Sequence, residues 1–365
     1  MSRILILGGT GFIGRNLVKY LVDNNCCSKI KVIDKQFPAI AYFSEEITKA
    51  FENEVVEFKQ GNLNSPTSIE KCFDDPDGGW DCVVNLAGET KYGQTAEVYQ
   101  EKIIDVSIKC AKEAVKRKVP KFIEFSTAQI YKPDKKKVSK EESTLKPWTR
   151  LATAKLEGEE KLKELDLQNL IIVRPAIVYG PGDISGISPR IITAAVYKKL
   201  DEKMKFLWNG ALRLNTVHVY DVCAAVWLLV QKGEGGKTYN LCDKNDTNQS
   251  SINVLLEEIF GIKTGFIGKV ISNLAKVNMK SATEDVNEKH LEPWASLCKD
   301  HGILSTPLTP YLDQELLYNN HLYIDGSKIE TELSFEYKHP KMTKELLEEQ
   351  INYFTKLDLF PNLWK

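Results

Sequence analysis

The residues with the clearest potential for chemistry lie in the segment TRLATAKLEGEE, residues 149–160. Lys155 stands early in a run with helical spacing, where its ammonium group can hydrogen-bond a bound cofactor. Leu151, four residues earlier, has no ionisable group and cannot donate a hydrogen bond from its side chain. The segment therefore offers a cation for binding without a proton carrier one helical turn away.

A glycine-rich turn, GGTGFIG at residues 8–14, follows the first apolar run. Its glycines allow a tight strand-to-helix turn and a close approach to a pyrophosphate, whose charge suits a helix N-terminus. Asp34 ends the second apolar run, about 20 residues after the turn, as the dinucleotide fingerprint requires. A carboxylate there accepts hydrogen bonds from the adenosine ribose and repels a 2′-phosphate, which favours NAD over NADP. The alternative for Asp34 is a solvated carboxylate at a strand end.

The elements that must position these groups alternate regularly through the first 180 residues. Short apolar runs rich in β-branched residues are separated by segments with helical spacing, which predicts a parallel sheet covered on both faces. The fold class expected is α/β, with a Rossmann-type doubly wound parallel sheet. The predicted strands are residues 3–7, 29–34, 55–58, 81–87, 121–126 and 169–175, and the main predicted helices are 12–23, 95–117 and 150–165.

The regularity weakens after residue 180, which indicates a second, smaller and mostly helical domain. We expect an NAD-binding domain over residues 1–180, with 212–245 returning to it through a strand at 237–241. Residues 181–211 and 246–365 then form the C-terminal, substrate-type domain.

One C-terminal segment has apolar residues at helical spacing. We expect this face to pack against its own domain, with the groove of a partner protein as the alternative. Its residues are Phe266, Ile267, Val270, Ile271, Leu274 and Val277.

Composition narrows the function classes. The 365 residues are 42% hydrophobic with a formal net charge of −1, which gives no overall electrostatic reason to bind nucleic acid or a membrane. The eight cysteines contain no C-x-x-C pair and are expected to be buried thiols, and the five histidines lack ligand spacing, so no metal site is predicted. The first predicted strand begins by residue 3, and no apolar run is long enough to span a bilayer, so a cytoplasmic location without a membrane span is expected.

Several motifs, in a fixed order, are similar to those of the extended short-chain dehydrogenase/reductase family, which contains NAD-dependent sugar epimerases and dehydratases. The resemblance covers about the first 245 residues, whereas the remainder matches only loosely through YIDGSKIETELSF at 323–335. The motifs are GGTGFIG (8–14), QGNLNSPTSIEKCF (60–73), NLAG (85–88), FSTAQIY (125–131), RPAIVYGPG (174–182) and TVHVYDV (216–222).

The resemblance implies a set of residues that contact NAD. They are Gly8, Gly11, Phe12, Ile13, Gly14, Asp34, Asn62, Leu63, Leu86, Ala87, Gly88, Lys155, Pro175 and Val178.

The resemblance also implies how a substrate would react. In the family, a tyrosine four residues before the lysine exchanges a proton with the substrate, the lysine lowers its pKa, and a serine or threonine holds the substrate oxygen. Thr127 and Lys155 match the last two roles, but Leu151 replaces the tyrosine. We therefore predict NAD(H) binding with impaired or absent tyrosine-dependent chemistry, as in a structural or regulatory subunit.

The alternative is an active oxidoreductase, epimerase or dehydratase that uses a substitute acid or base. Tyr92 and Glu89 follow the NLAG turn and are candidates. Tyr131 and Lys135 repeat the Y-x-x-x-K spacing, but Pro133 interrupts a helix there.

Partner surfaces are less clearly marked. Residues 132–140 contain five lysines in nine positions, which indicates a solvated loop or a docking point for an acidic protein surface. The family resemblance also implies a possible homodimer through helices 95–117 and 150–165.

Overall fold

A parallel sheet forms the centre of the molecule in the computed structural model, which describes residues 1–76 and 78–364. The described residues form eleven strands: β1 (Ser2–Leu7), β2 (Cys27–Asp34), β3 (Val56–Gln60), β4 (Cys82–Asn85), β5 (Phe122–Phe125), β6 (Leu170–Pro175), β7 (Ile177–Tyr179), β8 (Met204–Phe206), β9 (Thr216–His218), β10 (Thr238–Leu241) and β11 (Thr264–Phe266).

Seven of these strands pair in the order β10-β6-β5-β4-β1-β2-β3, and every pairing is parallel. The chain starts in the middle, moves to one edge and then crosses back to the other, so the order reverses beside β1. This reversal is the topology of doubly wound sheets, whose ligands bind outside the carboxyl ends of the strands. The predicted fold class is confirmed.

Helices cover the sheet and build the C-terminal part of the chain. They are α1 (Phe12–Asp23), α2 (Glu45–Phe51), α3 (Pro66–Phe73), α4 (Ala96–Tyr99), α5 (Val106–Lys116), α6 (Arg150–Lys163), α7 (Ser188–Leu200), α8 (Val219–Lys232), α9 (Gln249–Phe260), α10 (Gly268–Val277), α11 (Met279–Asp300), α12 (Lys328–Leu333) and α13 (Lys344–Thr355).

The predicted helix 95–117 is not uniform. A π-helical turn, Gln100–Asp105, separates α4 from α5, and such turns occur frequently at functional sites. It carries Ile103 and Ile104, which are both buried. The turn therefore adds apolar side chains to the region next to α6.

A second hydrophobic core lies outside the main sheet. It is built mainly from α7, α9, α11 and α13. The strand pairs β7–β9 and β8–β11 are parallel and separate from the main sheet. β10 joins the main sheet beside β6, as the expected return of residues 212–245 requires. The division of the chain into two domains stays a prediction.

The expectation for the apolar face of residues 266–277 is wrong. Four of its side chains face solvent on α10 and expose large fractions of their surface: Val270 77%, Ile271 55%, Leu274 69% and Val277 86%. Ser272, on the opposite side of the helix, is buried instead. Its hydroxyl accepts a hydrogen bond from the Trp208 backbone N–H at 2.7 Å and donates one to the Gly268 carbonyl at 2.6 Å. The bond to Gly268 lies within α10, so the contact with Trp208 is the one that ties the Ser272 face of α10 to the interior.

All eight cysteines are buried and unpaired, as predicted. Among the described residues, none of the helices combines the length and the hydropathy needed to pass through a bilayer.

Candidate active site

At two positions of the glycine turn between β1 and α1, an added Cβ would clash with backbone atoms. Gly8 has a φ of +78°, and a Cβ there would lie 2.7 Å from the backbone nitrogen of Ala87. A Cβ on Gly14 would lie 2.5 Å from the Cα of Gly9. Gly11 is exposed, and a Cβ there would meet only the Gly8 carbonyl oxygen, at 3.2 Å. Gly8 and Gly14 are therefore required by the fold, whereas Gly11 leaves open space beside the helix.

The N-terminus of α1 fits an anionic ligand. Gly11 is the N-cap, it provides no side-chain cap, and the first turn contains no acidic residue. The backbone N–H groups of Phe12 and Ile13 lie in this first turn, where an α-helix offers them no carbonyl partner. Phosphate groups bind at such termini because the N–H groups and the helix dipole both favour negative charge. The turn and the start of α1 therefore suit the pyrophosphate of a dinucleotide.

Asp34 lies at the end of β2, beside this turn. Its carboxylate accepts hydrogen bonds from the backbone N–H groups of Thr10 and Gln36, each at 3.1 Å. Two carboxylate oxygens offer about four acceptor sites, so capacity remains for the hydroxyls of a ribose. Asn62 and Leu63 follow the neighbouring strand β3, with Asn62 exposed and Leu63 buried. Asn62 and Leu63 thus lie beside Asp34 at the carboxyl end of β3, and their contact with NAD stays a prediction.

The turn after β4 connects the glycine turn to α6. Leu86, Ala87 and Gly88 occupy it, and the backbone of Ala87 lies against Gly8. A Cβ placed on Gly88 would lie 3.6 Å from the Nζ of Lys155. The sheet thus brings residues from β1, β4 and α6 together at the carboxyl ends of the strands.

Lys155 lies beside a buried carboxylate, with 13% of its own side chain exposed. Its Nζ donates a hydrogen bond to the carbonyl of Phe125 at 2.7 Å and lies 4.0 Å from an Oε of Glu124. Burial lowers the pKa of Lys155 and raises the pKa of Glu124, while their mutual attraction opposes both shifts. Glu124 also accepts hydrogen bonds from Asn85 at 2.7 Å and Ser107 at 2.9 Å. This network holds the ammonium group in place at the end of β5.

Leu151 occupies a closed apolar cluster. α6 begins at Arg150 because the Thr149 hydroxyl caps it by accepting from the Ala152 N–H at 3.0 Å. One residue into this helix, Leu151 is 8% exposed. The cluster around it consists of Tyr99, Ile103, Ile104 and Ala154, with Tyr92 and Ile108 packed against it. The side chain at position 151 therefore contributes packing and no polar group.

A second tyrosine lies close to this cluster. The Oη of Tyr92 accepts a hydrogen bond from the side-chain amide of Gln129 at 2.8 Å. The amide oxygen of Gln129 accepts from Thr149 at 3.1 Å, and its backbone N–H donates to the Thr127 hydroxyl at 3.2 Å. Burial raises the pKa of Tyr92 to about 12. Tyr92 and Thr127 are thus joined through one residue, Gln129.

Ser126 adds an unused hydroxyl to the same strand end. It is buried, and its Oγ has no hydrogen-bond partner among residues 1–76 and 78–364. Buried polar atoms without partners are rare, and a bound ligand is one way in which such an atom is satisfied.

Tyr131 and Lys135 do not form a tyrosine–lysine pair on a helix. Tyr131 is buried, donates its hydroxyl proton to Asn240 at 2.7 Å and accepts from Arg174 at 2.8 Å. Lys135 lies in an exposed, non-helical loop, as the intervening proline suggested. Tyr131 therefore belongs to a structural network beneath β6, and Arg174 completes that network through its ion pair with Glu159 at 2.5 Å.

The remaining predicted residues flank the cleft. Pro175 ends β6, and Val178 lies in β7 opposite Val217 of β9. Pro175 thus lies at a strand end of the main sheet and Val178 in a separate strand pair, and the contacts of the predicted residues with a cofactor stay a prediction.

The sequence analysis missed Arg190, near the start of α7. Its guanidinium carbon lies 4.9 Å from the centroid of the Phe206 ring, and Nη2 donates to Gln249 at 3.3 Å. Nη1 is buried and has no partner among the described residues. Burial lowers the pKa of Arg190 to about 10. A guanidinium with a buried, unpaired N–H group is costly, which is expected where an anionic group binds. The only sequence signal was a charged residue inside the apolar run 187–196.

Comparison with known proteins decides the family. The profile described as "NAD dependent epimerase/dehydratase family" matches residues 4–242, well over half of the chain. The chain belongs to this NAD-dependent epimerase/dehydratase family. The predicted resemblance is confirmed, since its motifs lie within the matched residues.

Individual relatives of this family member are distant. It is 27% identical over 263 residues to a dTDP-D-glucose 4,6-dehydratase of Dictyostelium discoideum, a match that covers 66% of this chain and 58% of that enzyme. It is 23% identical over 271 residues to a 4-hydroxy-2-methyl-3-oxo-4-farnesyl-3,4-dihydroquinoline-1-oxide ketoreductase of Stigmatella aurantiaca, covering 72% of this chain and 74% of that protein.

Solved structures extend the likeness to the whole chain. A dTDP-glucose 4,6-dehydratase from Streptomyces venezuelae, crystallised with NAD, has a TM-score of 0.71 at 18% identity, with 97% of each chain covered. A UDP-glucuronic acid 4-epimerase from Bacillus cereus, also crystallised with NAD, has a TM-score of 0.70 at 20% identity, covering 97% of this chain and 99% of that one. The family and these structures agree with NAD, the predicted cofactor.

Proposed function

We propose that this chain binds NAD(H) in the cleft at the strand ends and does not transfer protons through position 151. The observation that carries the proposal is the coexistence of two features. The glycine turn, Asp34 and Lys155 retain the geometry of a dinucleotide site. Leu151 is buried among apolar side chains in the position of the family's tyrosine. Such a protein serves as a structural or regulatory subunit whose state depends on the cofactor.

When bound, NAD supplies the hydride acceptor or, as NADH, the hydride donor. The glycine turn and the start of α1 hold the pyrophosphate, Asp34 binds the adenosine ribose, and Lys155 is available for the nicotinamide ribose. Thr127 can still donate a hydrogen bond to a substrate oxygen. Leu151 cannot pass that oxygen a proton, and loss of a positioned acid or base typically removes about 10²–10⁴ in rate.

A second candidate is an active oxidoreductase, epimerase or dehydratase in which Tyr92 carries the proton. It is supported by the packing of Tyr92 against the Leu151 cluster and by its connection to Thr127 through Gln129. The pKa of about 12 argues against it, because a general acid–base works best with a pKa near the operating pH. The first candidate is therefore the conclusion.

A subunit also needs a partner surface, and the lysine loop of residues 132–140 is one candidate. Lys135, Lys136 and Lys137 are exposed at its tip. Its end is anchored, since the Ser139 N–H donates to the Tyr323 carbonyl at 2.8 Å. A firmly held basic loop suits an acidic protein partner. The family resemblance also suggests a homodimer through residues 95–117 and 150–165.

The first experiment measures cofactor binding and turnover on the same preparation. NADH binding is followed by its fluorescence, and turnover is screened with ketones and nucleotide sugars, the classes named for the relatives. We expect NADH binding without turnover in the natural chain. Leu151→Tyr should gain turnover relative to Leu151→Phe, which has a similar volume but no hydroxyl.

Tyr92→Phe separates the two candidates. If the natural chain turns over a substrate and Tyr92→Phe abolishes this activity while NADH binding persists, the second candidate replaces the first. Equal turnover of Leu151→Tyr and Leu151→Phe would show that the missing hydroxyl is not what limits the site.

A further inference from the structure

The four exposed apolar residues of α10 form a continuous strip. We define the α10 strip as Val270, Ile271, Leu274 and Val277, all more than half exposed. Residues spaced three and four apart lie on one face of a helix, so the four side chains form a single surface. Contiguous apolar surface rimmed by polar groups marks an interaction site, unlike singly scattered apolar residues.

The helix is held in this orientation by polar contacts on its inner side. Ser272 is fully buried and hydrogen-bonded to the backbone of Trp208 and Gly268. Rotating α10 to bury the strip would break the hydrogen bond from the Trp208 backbone and expose Ser272, whereas the bond to Gly268 lies within α10 itself. The outward orientation is therefore built into the domain.

The segment that carries the strip is basic. Residues 261–280 contain four lysines and no aspartate or glutamate. Lys263, Lys269 and Lys276 are exposed, and none of them forms an ion pair with a described residue. Lys280 pairs weakly with Glu284 at 3.9 Å. An apolar face flanked by free lysines is complementary to a surface that is apolar below and negatively charged above.

We propose that the α10 strip docks on an anionic lipid surface. α10 lies in the plane of the interface, the strip enters the boundary between headgroups and acyl chains, and Lys269 and Lys276 lie near the lipid phosphates. Four side chains on a ten-residue helix offer much less than the roughly 800 Å² per partner of a stable protein interface, which favours lipid over a folded protein. The inference does not rest on the proposed NAD function.

The test is co-sedimentation of the full chain with phosphatidylcholine vesicles that contain phosphatidylglycerol, compared with phosphatidylcholine alone. We expect binding to the anionic vesicles. Leu274→Ser/Val277→Ser should weaken it by about tenfold or more, because less apolar surface is buried. Lys269→Gln/Lys276→Gln should weaken it by roughly tenfold and reduce its dependence on salt.

Leu304→Ser is the matched control, since Leu304 is fully exposed but lies outside the strip. It should bind vesicles like the natural chain, and all variants should unfold at the same temperature because the replaced side chains are exposed. Absence of binding to anionic vesicles overturns the proposal. So does binding that the strip variants leave unchanged, or a strip that instead mediates self-association, seen as a smaller sedimentation coefficient in the strip variants.

Discussion

Two alanine substitutions in the glycine turn should have opposite effects on folding and on NADH binding. Gly14 is buried, and a Cβ there would lie 2.5 Å from the Gly9 Cα and 2.7 Å from the Gly8 carbonyl oxygen. Gly11 is exposed with a φ of −65°, and its added Cβ would touch only one oxygen, at 3.2 Å. Gly14→Ala therefore strains the protein itself, whereas Gly11→Ala intrudes only into the space assigned to the pyrophosphate.

The magnitudes follow from these contacts. Overpacking against backbone atoms, which cannot rotate away, costs about 1–3 kcal/mol, and the gain in helix propensity offsets at most about 1 kcal/mol. We expect Gly14→Ala to lose about 1–2 kcal/mol of the free energy of unfolding. For Gly11→Ala, the loss of a favourable N-cap residue and the reduced entropy of the unfolded chain nearly cancel, so stability should change by less than about 0.5 kcal/mol.

NADH binding should be weakened by Gly11→Ala, the substitution that leaves stability nearly unchanged. A methyl group on Gly11 keeps the phosphate away from the N–H groups of α1, and a charge-assisted hydrogen bond contributes about 1.5–3 kcal/mol. The NADH affinity of Gly11→Ala should therefore fall by about tenfold to a hundredfold.

Urea unfolding and NADH fluorescence titration of the two variants measure both quantities. A Gly11→Ala protein that binds NADH like the natural chain would refute the placement of the pyrophosphate. A Gly14→Ala protein of unchanged stability would refute the packing argument.

Three further predictions concern charge. Asp34→Asn keeps one acceptor oxygen but removes the negative charge, so NADH affinity should fall by about tenfold while NADPH affinity rises. Parallel titrations with the two cofactors measure this, and an unchanged ratio of the NADH and NADPH affinities would contradict the assigned role of Asp34. Burial raises the pKa of Asp243 to about 7 in the folded protein, so the stabilising contribution of this group is lost as pH rises from about 4 through about 7. Asp243→Asn should remove about 2 kcal/mol of the decline in unfolding free energy between about pH 5 and about pH 8. An identical pH profile of the two proteins would refute this. Arg190→Met should raise the free energy of unfolding measured without ligand, because it removes a cation whose buried Nη1 has no partner among the described residues. A destabilised variant would show that Arg190 supports the fold rather than an anion site.

The sequence alone determined the main architecture and grouped the residues of the candidate site. The alternation of apolar strands and helices was enough to predict a doubly wound sheet, because burial on both faces makes parallel strands continuously apolar. In such a sheet, residues that follow β1, β2, β4 and β5 meet at one edge whatever their distance along the chain. Gly11, Asp34, Gly88 and Thr127 could therefore be grouped before any coordinates, and the absence of a hydroxyl at Leu151 was visible directly.

The tertiary structure decided which faces and which polar groups are used. Periodicity showed that the apolar residues of α10 share a face, but the burial of Ser272 and its hydrogen bond from Trp208 leave that face outward. The contact of Lys155 with Glu124 and the connection from Tyr92 to Thr127 through Gln129 join segments far apart in sequence. The burial of the Arg190 Nη1 without a partner among the described residues likewise follows from packing. Local patterns specify which side chains lie together on one element, whereas the partner of each face depends on how the elements pack against one another.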